Sequence, residues 1–179
     1  MKMIRFQIPQ VVFHMRVATV LPDGSKAFQW KDVNTQDLFA GKRVFLFALP
    51  GAFTPTCSDH QLPGFEKIYD DLRCEGIEEV YCLSVNDAFV MNAWGKKLEI
   101  KNVKLLPDGS GEFTRKMGML VYKDNVGFGL RSWRYGALIK DMVVESWFVE
   151  EGFSDNCATD PYEISSPENV LKVIRESKK

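Results

Sequence analysis

The apolar residues of this chain fall into short runs separated by turn-forming residues. The run Arg43-Val44-Phe45-Leu46-Phe47-Ala48-Leu49 is apolar at almost every position, as is typical of a central strand covered on both faces. Pro50 and Gly51 end it. Upstream, residues 11–20 and 26–30 flank the turn sequence Leu21-Pro22-Asp23-Gly24. They predict an N-terminal β-hairpin that precedes the central strand.

Helical spacing and strand-like runs alternate over the rest of the chain. The predicted helices are 55–76, 88–99, a short piece near 111–117, and a last helix capped by Ser166 with Pro167 in its first turn. The predicted strands are 79–85, 103–106, 136–140 and 143–149, the last two joined through Asp141-Met142. This order predicts an α/β fold with a central mixed sheet flanked by helices, in a single domain spanning residues 1–179.

A cysteine stands where the central strand gives way to a helix, in the segment Pro50-Gly51-Ala52-Phe53-Thr54-Pro55-Thr56-Cys57. Thr54 is a candidate helix cap, and Pro55 suits the first helical position. Cys57 therefore falls in the first turn, where unpaired backbone N–H groups and the helix dipole favour a thiolate. This position favours a reactive thiol over the alternative of a small buried hydrophobic residue.

Composition and charge narrow the classes of partner. The 179 residues include 23 basic and 24 acidic side chains, for a net charge of −1, so nothing suggests a nucleic-acid or membrane-surface partner. The start, Met1 to Phe6, lacks an apolar signal core. Four cysteines without zinc-type or Cys-x-x-Cys spacing suggest no bound metal and a reducing compartment. We expect a cytoplasmic protein.

The run from Pro50 to Ser58 resembles the active-site loop of the peroxiredoxins, and in particular the type 5, or plant type II, subfamily. Segments 62–65, 84–94 and 134–135 also have counterparts in that subfamily, so the resemblance covers about residues 5–175. It implies a thioredoxin-like fold. It also implies a thiol-dependent peroxidase that reduces hydrogen peroxide and organic hydroperoxides without a bound cofactor, metal, haem or flavin.

The resemblance makes Cys57 the peroxidatic cysteine, which becomes a sulfenic acid. Thr54 and Pro50 then share its loop, and Arg134 reaches in from a later strand. An arginine supplies positive charge to the thiolate and the peroxide, a threonine hydroxyl accepts the peroxide hydrogen, and the proline shields the site from water. From the residues alone, Arg131 is an equally good candidate, and the resemblance selects Arg134.

One position departs from the subfamily. The subfamily has a histidine four residues after the reactive cysteine, where this chain has Gln61, with His60 one residue earlier. A one-residue offset rotates a helical side chain by about 100°. We therefore assign no role to His60 and expect an ordinary polar helix residue.

The remaining cysteines bear on how the sulfenic acid is reduced. Cys82 matches the second cysteine of the plant branch, and Cys157 lies near the resolving cysteine of the animal branch, so both are candidate resolving residues. Cys82 is expected to be buried in a strand, Cys157 to be accessible in a loop, and Cys74 to be structural. Alternatively an external thiol resolves the intermediate. Glutathione with a separate glutaredoxin is the expected electron donor, followed by thioredoxin.

Two other functions fit a reactive thiol on this fold: a peroxide-sensing redox relay or chaperone that uses the same cysteine, and a non-enzymatic binding module. The full set of loop residues and arginine disfavours the binding module. The subfamily also implies a homodimer. The aromatic residues Phe53, Phe89 and Trp94 either form its apolar patch or belong to the core.

Overall fold

The computed structural model describes residues 6–177. Residues 1–5 and 178–179 of the predicted domain lie outside that range. They include most of the segment from Met1 to Phe6, which is predicted to lack a signal core. The strands are β1 Val12–Val20, β2 Lys26–Asn34, β3 Arg43–Ala48, β4 Glu79–Ser84, β5 Lys104–Pro107, β6 Leu120–Tyr122, β7 Leu130–Ser132, β8 Tyr135–Lys140 and β9 Val143–Val149. The helices are α1 Thr35–Phe39, α2 Leu62–Lys67, α3 Tyr69–Cys74, α4 Ala88–Lys97, α5 Glu112–Lys116 and α6 Pro167–Glu176. A π-helical turn at Cys57–Gln61 and a 3₁₀ turn at Asp124–Val126 complete them.

A five-stranded mixed sheet forms the centre of the fold, in the order β5-β4-β3-β8-β9. Strands β3, β4 and β5 run parallel to one another, whereas β8 pairs antiparallel with both of its neighbours, β3 and β9. In β3, Phe45 and Phe47 pack against α2, α3, α4 and α6, while Val44 and Leu46 pack against α1 and α5 on the opposite face. The alternation of side chains along a strand thus explains why this run is apolar throughout.

Both predicted hairpins are present. Strands β1 and β2 pair antiparallel, and β2 extends four residues beyond the predicted Trp30 to Asn34. Strands β8 and β9 turn at Asp141 and Met142, whose φ values of 46° and 68° give the positive-φ pair that matches the twist of a hairpin. The predicted mixed sheet with an N-terminal hairpin is confirmed.

The predicted helix 55–76 is broken into shorter pieces. It begins at Pro55 as expected, continues as the π-helical turn, and is interrupted between α2 and α3 at Ile68, whose ψ is 12°. Pro63 has no N–H to donate to the preceding turn, and the wider π-helical turn directly before α2 accommodates its ring.

Four short elements were absent from the sequence prediction: α1, β6, β7 and the 3₁₀ turn at Asp124–Val126. Helix α1 has a capping box between Asn34 and Asp37, a signal that the sequence contains. Strands β6 and β7 flank a connection with positive φ at Gly127 and Gly129. No helix within residues 6–177 is long and apolar enough to cross a membrane.

Candidate active site

The loop between β3 and the following helix presents a hydroxyl oxygen to the site. The Thr54 hydroxyl donates its hydrogen to the carbonyl of Gly51 at 2.7 Å, so it does not have the predicted role of a helix cap. The backbone carbonyl of Thr54 instead accepts the first helical bond from Ser58 at 3.0 Å. Because the hydroxyl hydrogen is already used, the lone pairs of the Thr54 oxygen remain available as acceptors.

Cys57 lies in the first turn of the helix, as predicted, and is completely buried. The turn is π-helical, since the N–H of Leu62 donates to the carbonyl of Cys57 five residues earlier. Nη1 of Arg134 lies 3.5 Å from the Cys57 sulfur and donates to it. The structure therefore brings the predicted cysteine and the predicted arginine into direct contact.

Arg134 is held by more than the sulfur. It lies between β7 and β8, is 2% exposed, and donates from Nη1 to Gln61 Oε1 at 2.5 Å and from Nη2 to Asp160 Oδ1 at 2.6 Å. Burial alone would lower the pKa of the guanidinium, but the charges of Cys57 and Asp160 outweigh it and raise that pKa. Its Nε has no hydrogen-bond partner within residues 6–177, which leaves one buried donor free at the site.

Gln61, which the sequence analysis noted four positions after Cys57 without assigning it a role, is part of the site. Its amide donates to the Ser165 hydroxyl at 3.4 Å, and that hydroxyl donates to buried Glu150 at 2.7 Å. Gln61 follows Cys57 by four residues, a helical spacing that places both on one face, and this signal could have found it. His60 is exposed and faces Tyr162 with ring centroids 6.5 Å apart, as an ordinary helix residue would.

Arg131 supports the loop instead of the sulfur. Its Nη1 donates to the Pro50 carbonyl at 3.3 Å, and its Nε donates to the Phe128 carbonyl at 3.1 Å. A Cβ at Gly51 would lie 2.8 Å from that Nη1, so a larger residue there would displace the end of the Arg131 side chain. Burial lowers the pKa of Arg131, and the charge of Cys57 partly offsets this shift. Of the two arginines, the structure places Arg134, and not Arg131, within hydrogen-bond distance of the Cys57 sulfur.

A cavity of about 190 Å³, the active-site cavity, leads to these groups. Pro50, Thr54 and Arg134 contribute to its wall. The first helical residues at 55–56 and two other segments of the chain, at 123–128 and 157–160, form the rest of the wall, which includes Cys157. A small reactant can therefore approach the buried site from one side.

The other cysteines differ in their surroundings. Cys82 is completely buried, as expected, and burial followed by the charge of Cys57 raises its pKa well above the ordinary value. Cys157 is half-buried, and contact with the Thr159 hydroxyl at 3.5 Å lowers its pKa. Cys74 is exposed at the end of α3. Within residues 6–177, no cluster of side chains suited to a metal ion is found.

The three aromatic residues named above fall into two groups. Phe53, in the loop after β3, and Phe89, in the first turn of α4, are 51% and 59% exposed. The segments just before them are joined by the Ala52 N–H, which donates to Asn86 at 3.0 Å. Trp94 is completely buried, and its indole N–H donates to the Ser58 hydroxyl at 3.0 Å. Trp94 therefore belongs to the core and supports the first turn of the active-site helix.

Comparisons with known proteins identify the family to which the chain belongs. The Redoxin family model matches residues 17–160. A peroxiredoxin of Rhizobium etli is 64% identical over 94% of this chain and 94% of that protein, and Peroxiredoxin-2B of Arabidopsis thaliana is 41% identical over 88% and 97%. The solved structure of the Plasmodium falciparum antioxidant protein, a 1-Cys peroxiredoxin, has a TM-score of 0.88 at 36% identity, over 96% of this chain and 98% of that one. The predicted thioredoxin-like fold and the resemblance to plant type II peroxiredoxins are confirmed. The chain belongs to the peroxiredoxins of the Redoxin family, which are thiol peroxidases that act without a prosthetic group.

Proposed function

We propose that Cys57 is the peroxidatic cysteine of an antioxidant enzyme that reduces hydrogen peroxide and organic hydroperoxides. The thiolate attacks one peroxide oxygen, so that an S–O bond forms and the O–O bond breaks. The departing oxygen takes a proton and leaves as water or an alcohol. The peroxide is reduced, and Cys57 is oxidised to a sulfenic acid. The observation that carries this proposal is the 3.5 Å contact between Arg134 Nη1 and the Cys57 sulfur.

The neighbouring residues take complementary roles in this step. The guanidinium of Arg134 stabilises the negative charge that develops on the departing oxygen, and its free Nε supplies a further donor. The Thr54 oxygen accepts the peroxide hydrogen, because its own hydrogen is bound to Gly51. Pro50, in the cavity wall, limits the access of water. The peroxide is thus held by donors on one side and an acceptor on the other.

Peroxide consumption with dithiothreitol as the reductant tests this assignment. We expect rapid turnover by the wild-type protein and none above background by Cys57→Ser. The matched control is Cys74→Ser, which changes an exposed cysteine and should turn over like the wild type. Persistent turnover by Cys57→Ser would contradict the proposal.

For recycling, we propose that an external thiol attacks the Cys57 sulfenic acid, forming a mixed disulfide and releasing water. Glutathione with glutaredoxin is the leading donor and thioredoxin the second. Cys82 is a poor internal candidate because its raised pKa keeps it protonated. Cys157 is the better internal candidate, since it borders the active-site cavity and its pKa is lowered. The similar 1-Cys peroxiredoxin of Plasmodium falciparum also favours an external donor.

Turnover with each donor system separates these routes. We expect peroxide reduction with glutathione and glutaredoxin to exceed that with thioredoxin and its reductase, and to persist in Cys157→Ser and Cys82→Ala. The opposite result is a loss of turnover in Cys157→Ser while Cys57 of that variant still reacts with peroxide. This result would show that Cys157 resolves the sulfenic acid and would contradict the proposal of an external thiol.

We also propose a cytoplasmic location and a single domain over residues 1–179. All four cysteines are free, which suits a reducing compartment. A homodimer is part of the proposal, with Phe53 and Phe89 in its interface, because both aromatic side chains are more than half exposed and apolar surface of this kind favours association. Light scattering tests it: Phe89→Glu should yield monomers, whereas Val173→Glu, at an exposed site on α6, should remain dimeric.

A further inference from the structure

The active-site cavity is larger than hydrogen peroxide requires. Its volume is about 190 Å³, whereas one water molecule needs about 10–15 Å³ measured with a water-sized probe. Val126, Phe128 and Lys123 line the part of the wall that takes no part in the peroxide reaction described above. This part of the cavity therefore has room for an organic group.

Lys123 is unusual among the lysines of this protein. It is 6% exposed, and its ammonium lies 5.5 Å from the centroid of the Trp133 ring. Within residues 6–177, no hydrogen-bond acceptor or carboxylate pairs with that ammonium, whereas exposed Lys116 pairs with Glu112 at 2.6 Å. The stem of the Lys123 side chain is buried, whereas its ammonium keeps contact with solvent beside the Trp133 ring, whose face stabilises the cation. An anionic group from outside the chain would complete the site.

The charges around the cavity also favour an anion. Lys123 and Arg134 are the cations in its wall, and Asp160 is the acidic residue there. The Asp160 carboxylate already accepts from Arg134 at 2.6 Å, and it forms no ion pair with Lys123. Arg131 adds a further guanidinium behind the Pro50 carbonyl. The wall is therefore positive overall, and among the described residues no hydrogen bond or ion pair is made by the Lys123 ammonium.

We propose that Lys123 binds the carboxylate of an organic reactant whose reactive end reaches Cys57, with Val126 and Phe128 packing against its apolar body. The inference rests on the proposed function of Cys57. Two reactants share this chemistry. A hydroperoxide that carries a carboxylate transfers one oxygen to the sulfur and leaves as the alcohol. A thiol that carries a carboxylate attacks the sulfenic sulfur, so that an S–S bond forms and the hydroxyl leaves as water with the thiol proton.

Two pairs of reactants, each differing only in the free carboxylate, test the proposal. The first pair is linoleic acid hydroperoxide and its methyl ester, assayed with dithiothreitol. The second pair is glutathione and its diethyl ester, assayed as the reductant for hydrogen peroxide. For each pair, the measured quantity is the ratio of kcat/KM for the acid to kcat/KM for the ester. The variants are Lys123→Met and Lys123→Arg, with Lys172→Met, at an exposed site on α6, as the control.

We expect a ratio of about tenfold or more in the wild type for at least one pair, the size of a charge-assisted contact. Lys123→Met should bring that ratio close to one, Lys123→Arg should keep most of it, and Lys172→Met should not change it. The pair that responds identifies the reactant as the hydroperoxide or the thiol.

Equal reactivity of acid and ester in the wild type overturns the proposal even if Lys123→Met fails to fold. A ratio that Lys123→Met leaves unchanged also overturns it, even when both rates fall together, because that pattern indicates a structural role for Lys123. Failure of the proposed function is distinguishable from either result, because hydrogen peroxide would then leave the Cys57 thiol unmodified.

Discussion

The first turn of the active-site helix and the middle of β4 each contain a completely buried cysteine, Cys57 and Cys82, in the same core. The Cys57 sulfur accepts a hydrogen bond from Arg134 at 3.5 Å, beside a cavity that opens toward solvent. Cys82 lies between Phe47 of β3 and Leu105 of β5, and burial raises its pKa. Both cysteines are therefore buried, but only Cys57 has a cation in contact with its sulfur, a position at the start of a helix and a cavity beside it.

This difference separates two effects that a buried thiol experiences. Desolvation raises the pKa of the Cys82 thiol, because its thiolate would lose its water. Only at Cys57 do a fixed guanidinium and the N-terminal end of a helix replace that water. We infer that the peroxidase activity depends on these supporting groups and not on the presence of a buried cysteine.

Replacing each cysteine gives the largest expected contrast. Cys57→Ser should reduce peroxide consumption to background, whereas Cys82→Ala should react within about twofold of the wild type. The loss of a packed sulfur atom at Cys82 should lower the free energy of unfolding by about 1–2 kcal/mol. Stopped-flow peroxide kinetics and urea unfolding measure the two effects. A large loss of rate in a folded Cys82→Ala protein would remove the contrast.

Removing the cation tests why the two regions differ. Arg134→Met keeps most of the side-chain volume but removes the charge and the donors, and should lower kcat/KM for hydrogen peroxide by about 10²–10³-fold. Arg131→Met should cost about tenfold or less, because that guanidinium binds the Pro50 carbonyl and not the sulfur. Equal losses in the two variants would show that net charge matters and the contact does not.

Replacing the residues that hold the Arg134 guanidinium should have smaller effects on kcat/KM. Gln61→Leu leaves Arg134 Nη1 without one acceptor and should lower kcat/KM by about tenfold. Asp160→Asn keeps an acceptor for Nη2 in a half-exposed position, so we expect a decrease of only a few fold. The same peroxide kinetics report both. A greater loss in Asp160→Asn than in Gln61→Leu would reverse this order.

The smallest expected effect concerns the reactivity of Cys157. Its pKa is lowered, whereas the pKa of Cys82 is raised. A lowered pKa means more thiolate at a given pH, so the rate of iodoacetamide alkylation of Cys157 should rise at a lower pH than for an ordinary cysteine. Thr159→Val removes the hydrogen bond and should move that rise to higher pH. Mass mapping in a Cys57→Ser background follows each site. An unmoved curve would rule out Thr159 as the cause.

Much of the fold was predictable because its signals are local. The apolar run of β3, the turn before β2 and the Ser166 cap of α6 each lie within a few residues. The elements that were missed are short. Strands β6 and β7 have three residues each and are stabilised by pairing with each other, which no local pattern announces.

The site residues also divide into those with a local sequence signal and those without one. Pro50, Thr54 and Cys57 were predictable because they share one segment. The choice of Arg134 over Arg131 needed the family resemblance, because the residue types are identical and the two lie only three positions apart, Arg131 within β7 and Arg134 just after it. Asp160 gave no signal at all, since only the packing of its loop brings it to Arg134.

The most direct test of the central claim is the intact mass of the reduced protein after one equivalent of hydrogen peroxide, with a sulfenic-acid trap present. The account predicts prompt addition of one trap molecule, mapped to Cys57, in the wild type and in Cys82→Ala, and none in Cys57→Ser. Trapping at another cysteine, or no rapid oxidation of the wild type, would contradict the claim that the supported thiol at the helix start is the one that reacts.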